Sequence, residues 1–257
     1  MKLQTKWAGR NLIYFDSLDS TNARARLEAI KGAAHGTLVA AGRQTRGRGR
    51  SGKSWFSPPN TNIYFTILLR PDFLPEKAAM LTLVMAYSVA RCVKAVTGMR
   101  AGIKWPNDII INKKKICGIL TEMDVDNGRI GYVIIGVGIN VAKQEFPAEL
   151  AEMATSLEQE CGNEINKDLL FERIMGAFEE DYEDFVFRGD LSGLQAGFED
   201  MLVNQNARVS VLDPKGKYQG TAKGITSKGE LLVENDEGVI LKVYAGEVSV
   251  RGIYGYV

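Results

Sequence analysis

The hydrophobic pattern along this chain changes period repeatedly, and each change marks an element. Leu12-Ile13-Tyr14-Phe15 is a short apolar run and reads as a strand. Ser17, Asp19, Ser20, Thr21 and Asn22 follow, all residue types that favour helix N-caps. Ala23, Leu27 and Ile30 then recur at helical spacing, so a helix is expected from near Ser20 with those three on its buried face. Residues 37–41 and 63–69 read as strands. Pro75 opens a long helix whose stripe is Leu81, Val84, Met85, Ser88, Val89, Cys92, Val93 and Val96, with Gly98 as its stop. Met85 and Cys92 on that stripe read as core packing.

Further along, Ile103-Lys104-Trp105-Pro106-Asn107-Asp108 turns into the β-branched run 109–111, and Pro106 holds Trp105 extended. Asn112-Lys113-Lys114 marks a hairpin, with a return strand over residues 115–123. Lys115 is a cation inside strand periodicity, a position usually explained by an edge or a snorkelling side chain. Asp126-Asn127-Gly128 is a second hairpin signal, followed by a strand over 130–141. Gly136, Gly138 and Asn140 share one face of that strand, which leaves a groove or lets another group come close. Helices are expected over 147–160 and over 167–188. The second is capped by Asn166, shows Leu170, Ile174, Phe178, Tyr182 and Phe185 at core spacing, and ends at Gly189. A short helix runs to about residue 203. From residue 207 five short strands separated by turns read as a small barrel, giving two domains, 1–204 and 205–257.

Composition narrows the classes. The chain has 257 residues, 45% hydrophobic and 25% charged, as in ordinary globular proteins. Net charge is +1, so no global field draws nucleic acid or membrane. Cys92, Cys117 and Cys161 are odd in number and form no C-x-x-C, against a disulfide framework or a zinc site. The N-terminus has no apolar signal core and no stretch of about 18 apolar residues is present, so a cytoplasmic protein without a membrane span is expected. His35 is the single histidine, which excludes His-dependent triads and multi-His metal sites; its turn-like setting reads as surface.

One segment breaks the bland picture. Arg43, Arg46, Arg48, Arg50 and Lys53 are interleaved with Gly47, Gly49 and Gly52, and Trp55 follows. Glycines allow close backbone approach, cations meet carboxylate or phosphate, and the indole offers a flat face to a base. The segment reads as a lid over an anionic, nucleotide-containing ligand, or else as a solvated basic loop. Gly47 to Ser54 also satisfies G-x-x-x-x-G-K-[ST], but that phosphate loop needs a helix next, and Pro58-Pro59-Asn60 makes a turn instead. Ser20, Thr21 and Asn22 likewise carry two readings, pure capping or donors to a polar ligand.

Taken in order, Ser20-Thr21-Asn22, Gln44 to Trp55, Lys104 to Asp108, Lys115 to Leu120 and Gly136 to Asn140 closely resemble the biotin–protein ligases across nearly the whole chain. The resemblance implies an α+β fold: a mixed β-sheet with helices packed on one face, of class II synthetase type, plus a C-terminal SH3-like barrel. It implies a ligase that makes biotinyl-5′-AMP from biotin and MgATP, then transfers biotin to a lysine of a biotin carboxyl carrier protein. By the same resemblance, Ser20, Thr21, Asn22, Gln44, Gly47, Arg48, Gly49, Arg50, Lys115, Gly118 and Gly136 correspond to the biotin side. Arg50, Lys53, Trp55, Asn107, Lys115, Asn140 and Arg251 correspond to the ATP or adenylate side, with Glu247 near the nucleotide. Lys115, Arg48, Arg50 and Asp108 match the catalytic positions, and Asp108 also the Mg²⁺ that arrives with the phosphates. About ten residues precede the first strand, so the winged-helix domain of the family's repressors is expected to be missing and DNA binding with it; a homodimer through the sheet fits the family. The rivals are a lipoate–protein ligase of the same fold, whose loop pattern differs, and an RNA-binding module built on the Arg-Gly repeat.

Overall fold

A computed structural model describes residues 3–213, 216–245 and 249–252. Its larger unit is a seven-stranded sheet. The strands are β1 (Leu12–Phe15), β2 (Leu38–Ala41), β3 (Ile63–Leu69), β4 (Gly102–Lys104), β5 (Asp108–Ile111), β6 (Lys114–Asp126) and β7 (Arg129–Ile139). Their order is β1-β2-β3-β7-β6-β5-β4, with β1 parallel to β2 and the other neighbours antiparallel, so the sheet is mixed. Both expected hairpins form, and Asn112, Lys113, Asn127 and Gly128 take the positive φ that tight two-residue turns need.

Two long helices cover the back of this sheet. They are α2 (Met80–Thr97) and α4 (Lys167–Arg188), which packs on α2. Phe65 of β3 meets Phe171 of α4 edge-on, with ring centroids 5.3 Å apart. Asn166 caps α4 through Leu169 N–H, and Gly98 and Gly189 end the two helices in the left-handed region. The segment 75–97 is in fact long and apolar enough to cross a membrane, contrary to the reading of the sequence, but α2 is buried nearly all round between sheet and α4.

The first helix, α1 (Thr21–Ile30), lies on the front of the sheet, over β3, β2 and β7. Its buried face is Thr21, Asn22, Ala25 and Ala29, whereas Leu27 is 51% and Ile30 71% exposed. The expected stripe is therefore wrong by a rotation about the axis. Small alanines let the helix sit close on Val39, Leu68 and Ile134, and the larger residues are left outside. A second correction concerns residues 147–160. Only α3 (Leu157–Cys161), capped by Ser156, is helical there. The preceding residues are drawn alongside β6, where Lys115 N–H donates to Met153 O at 2.8 Å and Thr155 N–H to Lys115 O at 3.0 Å. Those backbone bonds compete with helix formation and win.

After α5 (Gln195–Met201) come β8 (Arg208–Asp213), β9 (Gly216–Ile225), β10 (Leu231–Glu234), β11 (Ile240–Val243) and β12 (Ser249–Gly252). They form an antiparallel five-stranded sheet of order β11-β10-β9-β8-β12, an SH3-like unit. Trp105 ties it to the larger unit: its indole N–H donates to Gly229 O at 3.1 Å and its backbone N–H to Asn204 Oδ1 at 3.0 Å. Glu247 lies outside the described residues.

His35 is not a surface residue. It is half-buried between Trp7 and Tyr182, and its Nδ1 accepts the Arg70 N–H at 3.0 Å. Burial holds its imidazole below the usual histidine value. The unfolded chain then binds the proton more readily than the folded one, so stability is expected to fall as pH drops through about 6.5. Thermal melting from pH 7.5 to 5.5 should show this loss, and His35→Asn, which keeps an acceptor for Arg70 but cannot titrate, should flatten it.

Candidate active site

The front face of β7 changes character halfway along. Tyr132 and Ile134 lie beneath α1, and the next residues on that face are Gly136 and Gly138. Bulk stops where α1 begins, and a cleft opens there. A side chain on Gly136 would collide with Asn22, and one on Gly138 or Gly118 with the ring of Trp55. The glycines thus serve close approach, one of the two readings of the sequence. Asn22 is held by three partners: it accepts from Thr66 Oγ1 at 2.7 Å and donates to Glu122 Oε2 at 2.7 Å and Leu120 O at 3.3 Å. Thr21 donates through N–H (2.8 Å) and Oγ1 (3.1 Å) to Gln44 Oε1, whose amide donates on to Ser57 Oγ at 3.1 Å. Ser20 caps α1 through Ala23 N–H. All four line the cleft at a helix N-terminus, where backbone dipoles favour negative charge.

The glycine–arginine segment folds over this floor as a strap. Gly49 N–H donates to Lys53 O at 2.7 Å and Trp55 N–H to Gly47 O at 2.9 Å, closing a small hairpin with Ser51 and Gly52 at its tip in the left-handed region. Arg50 reaches across and donates to Asn107 Oδ1 at 2.9 Å. Burial lowers the Arg50 pKa and the Asp108 charge opposes that. Arg48 lines the cleft and has no ion-pair partner among the described residues. Behind the strap, Tyr64 donates to Pro58 O at 3.1 Å, and its burial pushes the phenol up to about 12.

Lys115 reaches the cleft because of a β-bulge. Regular alternation would place it on the face of Cys117, which is the back. The register of β5 and β6 slips between Ile109 and Ile110, so Lys115 pairs with Ile110, which shares the front with Asp108. Its ammonium meets Asp108 Oδ1 at 2.5 Å and lies 5.2 Å from the centre of the Trp55 ring. Trp55 rests on Gly118 and Gly138 with its buried indole N–H unpartnered. With it in place the unfilled space is about 40 Å³, on the order of one water molecule. Trp55 and the strap border that space.

The structure brings Ser20, Thr21, Asn22, Gln44, Arg48, Gly49, Arg50, Trp55, Asn107, Lys115, Gly118 and Gly136 to one cleft. Asp108 borders it through Lys115. Gly47 supports the strap from behind, against Trp55 and Ser57. Lys53 is exposed and outside the lining. Asn140 is buried below it, donating to Thr155 O at 3.1 Å and accepting from Asn62 at 3.4 Å, so its amide holds the segment that anchors Lys115. The side chain of Arg251 lies outside the described residues. Missed in the sequence were Thr66 and Glu122, which orient Asn22; only the alternation of β3 and β6 places them on the front. No group of three or more His, Cys, Asp or Glu side chains that could hold a metal ion exists among the described residues.

The model of the Biotin/lipoate A/B protein ligase family matches residues 14–140, and that of the Biotin protein ligase C terminal domain matches residues 206–251. The Bifunctional ligase/repressor BirA of Bacillus subtilis is 39% identical over 249 residues, 96% of this chain and 76% of that protein. The Biotin--[acetyl-CoA-carboxylase] ligase of Mycobacterium tuberculosis is 30% identical over 235 residues, 89% of this chain and 85% of that one. A solved biotin protein ligase from Aquifex aeolicus, in complex with biotin and ATP, superposes with a TM-score of 0.83 at 30% identity, covering 95% of this chain and 99% of that one.

Proposed function

We propose, from the premise that this chain belongs to the biotin/lipoate A/B protein ligase family and is a biotin ligase, that it carries out both half-reactions leading to a biotinylated carrier lysine. In the first, a biotin carboxylate oxygen attacks the α-phosphorus of ATP, and the bond to the bridging oxygen breaks to release pyrophosphate. Two anions must meet. At 4 Å they repel by about 4 kcal/mol at an effective dielectric near 20. Lys115 and Arg48 both line the cleft; an ammonium brought between the carboxylate and the phosphate offsets that repulsion. The polar floor of Ser20, Thr21, Asn22 and Gln44 takes the ring system of biotin. Trp55 leaves the glycines and stacks on adenine. The observation that carries this reading is the bulge that turns one ammonium into a cleft roofed by arginines.

In the second half-reaction the ε-amine of the carrier lysine attacks the acyl carbon. A C–N bond forms, the C–O bond to AMP breaks, and the amine proton passes to a base, the role assigned to Asp108. The carrier has an approach route. β5 pairs with β6 only as far as Gly118, so among the described residues no strand pairs with this edge of β6 from Leu120 onward. With Ala78, Thr82 and Pro106 it lines a groove of about 660 Å³ that borders Arg50. An open edge next to a reacting centre suits strand addition by the carrier domain, or pairing of two copies of this chain. We assign no operator binding to the described residues.

The test is pyrophosphate exchange into ATP, followed by mass analysis of an isolated biotin carboxyl carrier domain. Exchange should depend on biotin, not lipoate or RNA, and the carrier should gain one biotinyl group on lysine. Exchange driven equally by lipoate would sink the biotin assignment.

A further inference from the structure

Asn22 lines the cleft, and the groups that decide how it meets a ligand stand behind it. Its side-chain amide has two protons, and both are engaged. Nδ2 donates to Glu122 Oε2 at 2.7 Å and to Leu120 O at 3.3 Å. A carboxylate and a carbonyl only accept, so the amide nitrogen must face them; a flipped amide would set oxygen against oxygen. The amide oxygen is thereby turned toward Thr66, whose hydroxyl donates to it at 2.7 Å. The same oxygen lies over Gly136, which also lines the cleft, and it is the first atom that a Cβ on that glycine would strike. An amide oxygen has two lone pairs, and Thr66 takes one. Toward a ligand, Asn22 therefore accepts and does not donate.

Glu122 is the residue that makes this choice. It stands opposite Ile134 on the face that carries α1. Its Oε1 takes the Arg26 guanidinium of α1 at 2.8 Å, so its two oxygens serve two different groups. It lines the neighbouring groove, and its bond to Asn22 is its link to the cleft. Asn22 itself is only 4% exposed. In such a setting a hydrogen-bond network fixes the amide more firmly than it would in water.

We infer that Glu122 is a positioning residue that sets specificity: it holds the Asn22 amide with its oxygen toward the cleft, so that a ring bound there must present an N–H. This rests on the biotin reading given above. The cyclic urea of biotin carries N–H donors on its ring. The dithiolane of lipoate carries none and would leave the acceptor buried without a partner, the kind of mismatch by which polar sites reject close analogues.

The experiment measures pyrophosphate exchange as a function of biotin and, separately, of ATP. Glu122→Leu removes the acceptor that holds the amide and should raise the KM for biotin on the order of tenfold. The KM for ATP should not move. Desthiobiotin, which keeps the urea and lacks the sulfur ring, should lose by the same factor. Glu122→Gln should recover most of the loss, because its amide oxygen still accepts from Asn22. In an Asn22→Ala background, Glu122→Leu should cost no further biotin affinity. Losses that multiply in that double variant would overturn the inference. So would a lower melting temperature with an unchanged KM for biotin, which would leave Glu122 a structural tie to Arg26. A rise of both KM values together would overturn it as well. If Glu122→Leu does not fold, Glu122→Asp takes its place: its carboxylate is one methylene too short to hold both partners, and it must raise the KM for biotin alone. Absence of biotin-dependent exchange in the unsubstituted chain would instead overturn the biotin reading itself.

Discussion

Lys115→Ala is expected to lower biotin-dependent pyrophosphate exchange by about 10²–10³, the range seen when one preorganised charge-stabilising donor is removed. Three observations set that size. The Lys115 ammonium reaches Asp108 at the cleft, and it does so through the bulge at Ile109/Ile110. The ion pair with Asp108 is partly shielded, with the two side chains 23% and 14% exposed. The backbone of residue 115, not its side chain, carries the bonds to Met153 and Thr155, so the anchoring segment stays in place. The variant should therefore fold. It leaves the Asp108 carboxylate without this partner, and its melting temperature should fall. Adding Asp108→Asn should restore the melting temperature and leave exchange as low as before. That separation is the check: recovery of exchange together with stability would mean that Lys115 acts only as a structural counter-ion. Lys115→Arg should not rescue, because a planar fork on a longer stem does not fit over Gly118, where the lysine stem already lies near the Trp55 ring.

How far the sequence shows this site depends on what kind of signal each part leaves. The strand Ile63–Leu69 is legible as an unbroken apolar run buried on both faces, and the helix Lys167–Arg188 because burial imposes a period and its caps, Asn166 and Gly189, carry their own chemistry. The strap is legible because no packing requirement produces five cations among three glycines. Lys115 is visible as an oddity, but its direction is not: the bulge at Ile109/Ile110 depends on the partner strand, and alternation alone points the lysine to the back. The buried face of α1 departs from its hydrophobic spacing for a related reason. Hydrophobicity favours Leu27 and Ile30, whereas the front of the sheet selects by size and takes Ala25 and Ala29. Residues 147–156 look helical, but their backbone is claimed by β6 from a distance no local pattern encodes. Gly136 and Gly138 left the choice between empty groove and close approach open, and only the positions of Asn22 and Trp55 decide it.

Arg50→Gly is expected to turn the enzyme from a selective ligase into a source of free adenylate. Biotinyl-5′-AMP is a mixed anhydride that acylates any accessible amine, so selectivity requires that it be held until the carrier lysine arrives. The strap is a hairpin whose tip, Ser51-Gly52, is exposed, and Arg50 is the side chain that fastens it to the sheet through Asn107. A hydrogen bond to a charged group is worth about 1.5–3 kcal/mol, so its loss should speed adenylate release on the order of 10–100-fold. Glycine adds a second effect by loosening the backbone between Gly49 and Gly52. Incubation with biotin, ATP and serum albumin, without carrier, should then label albumin lysines well above the level given by the unsubstituted enzyme, and ATP consumption should rise in step. Asn107→Ala removes the same fastening from the other end and should act in the same direction. Labelling that stays flat in both variants, with exchange intact, would show that the strap is held by other contacts and that Arg50 is no latch. Labelling that rises with Arg50→Gly alone would move the anchor from Asn107 to another partner of the guanidinium, with Asp108 the nearest charge that bears on it.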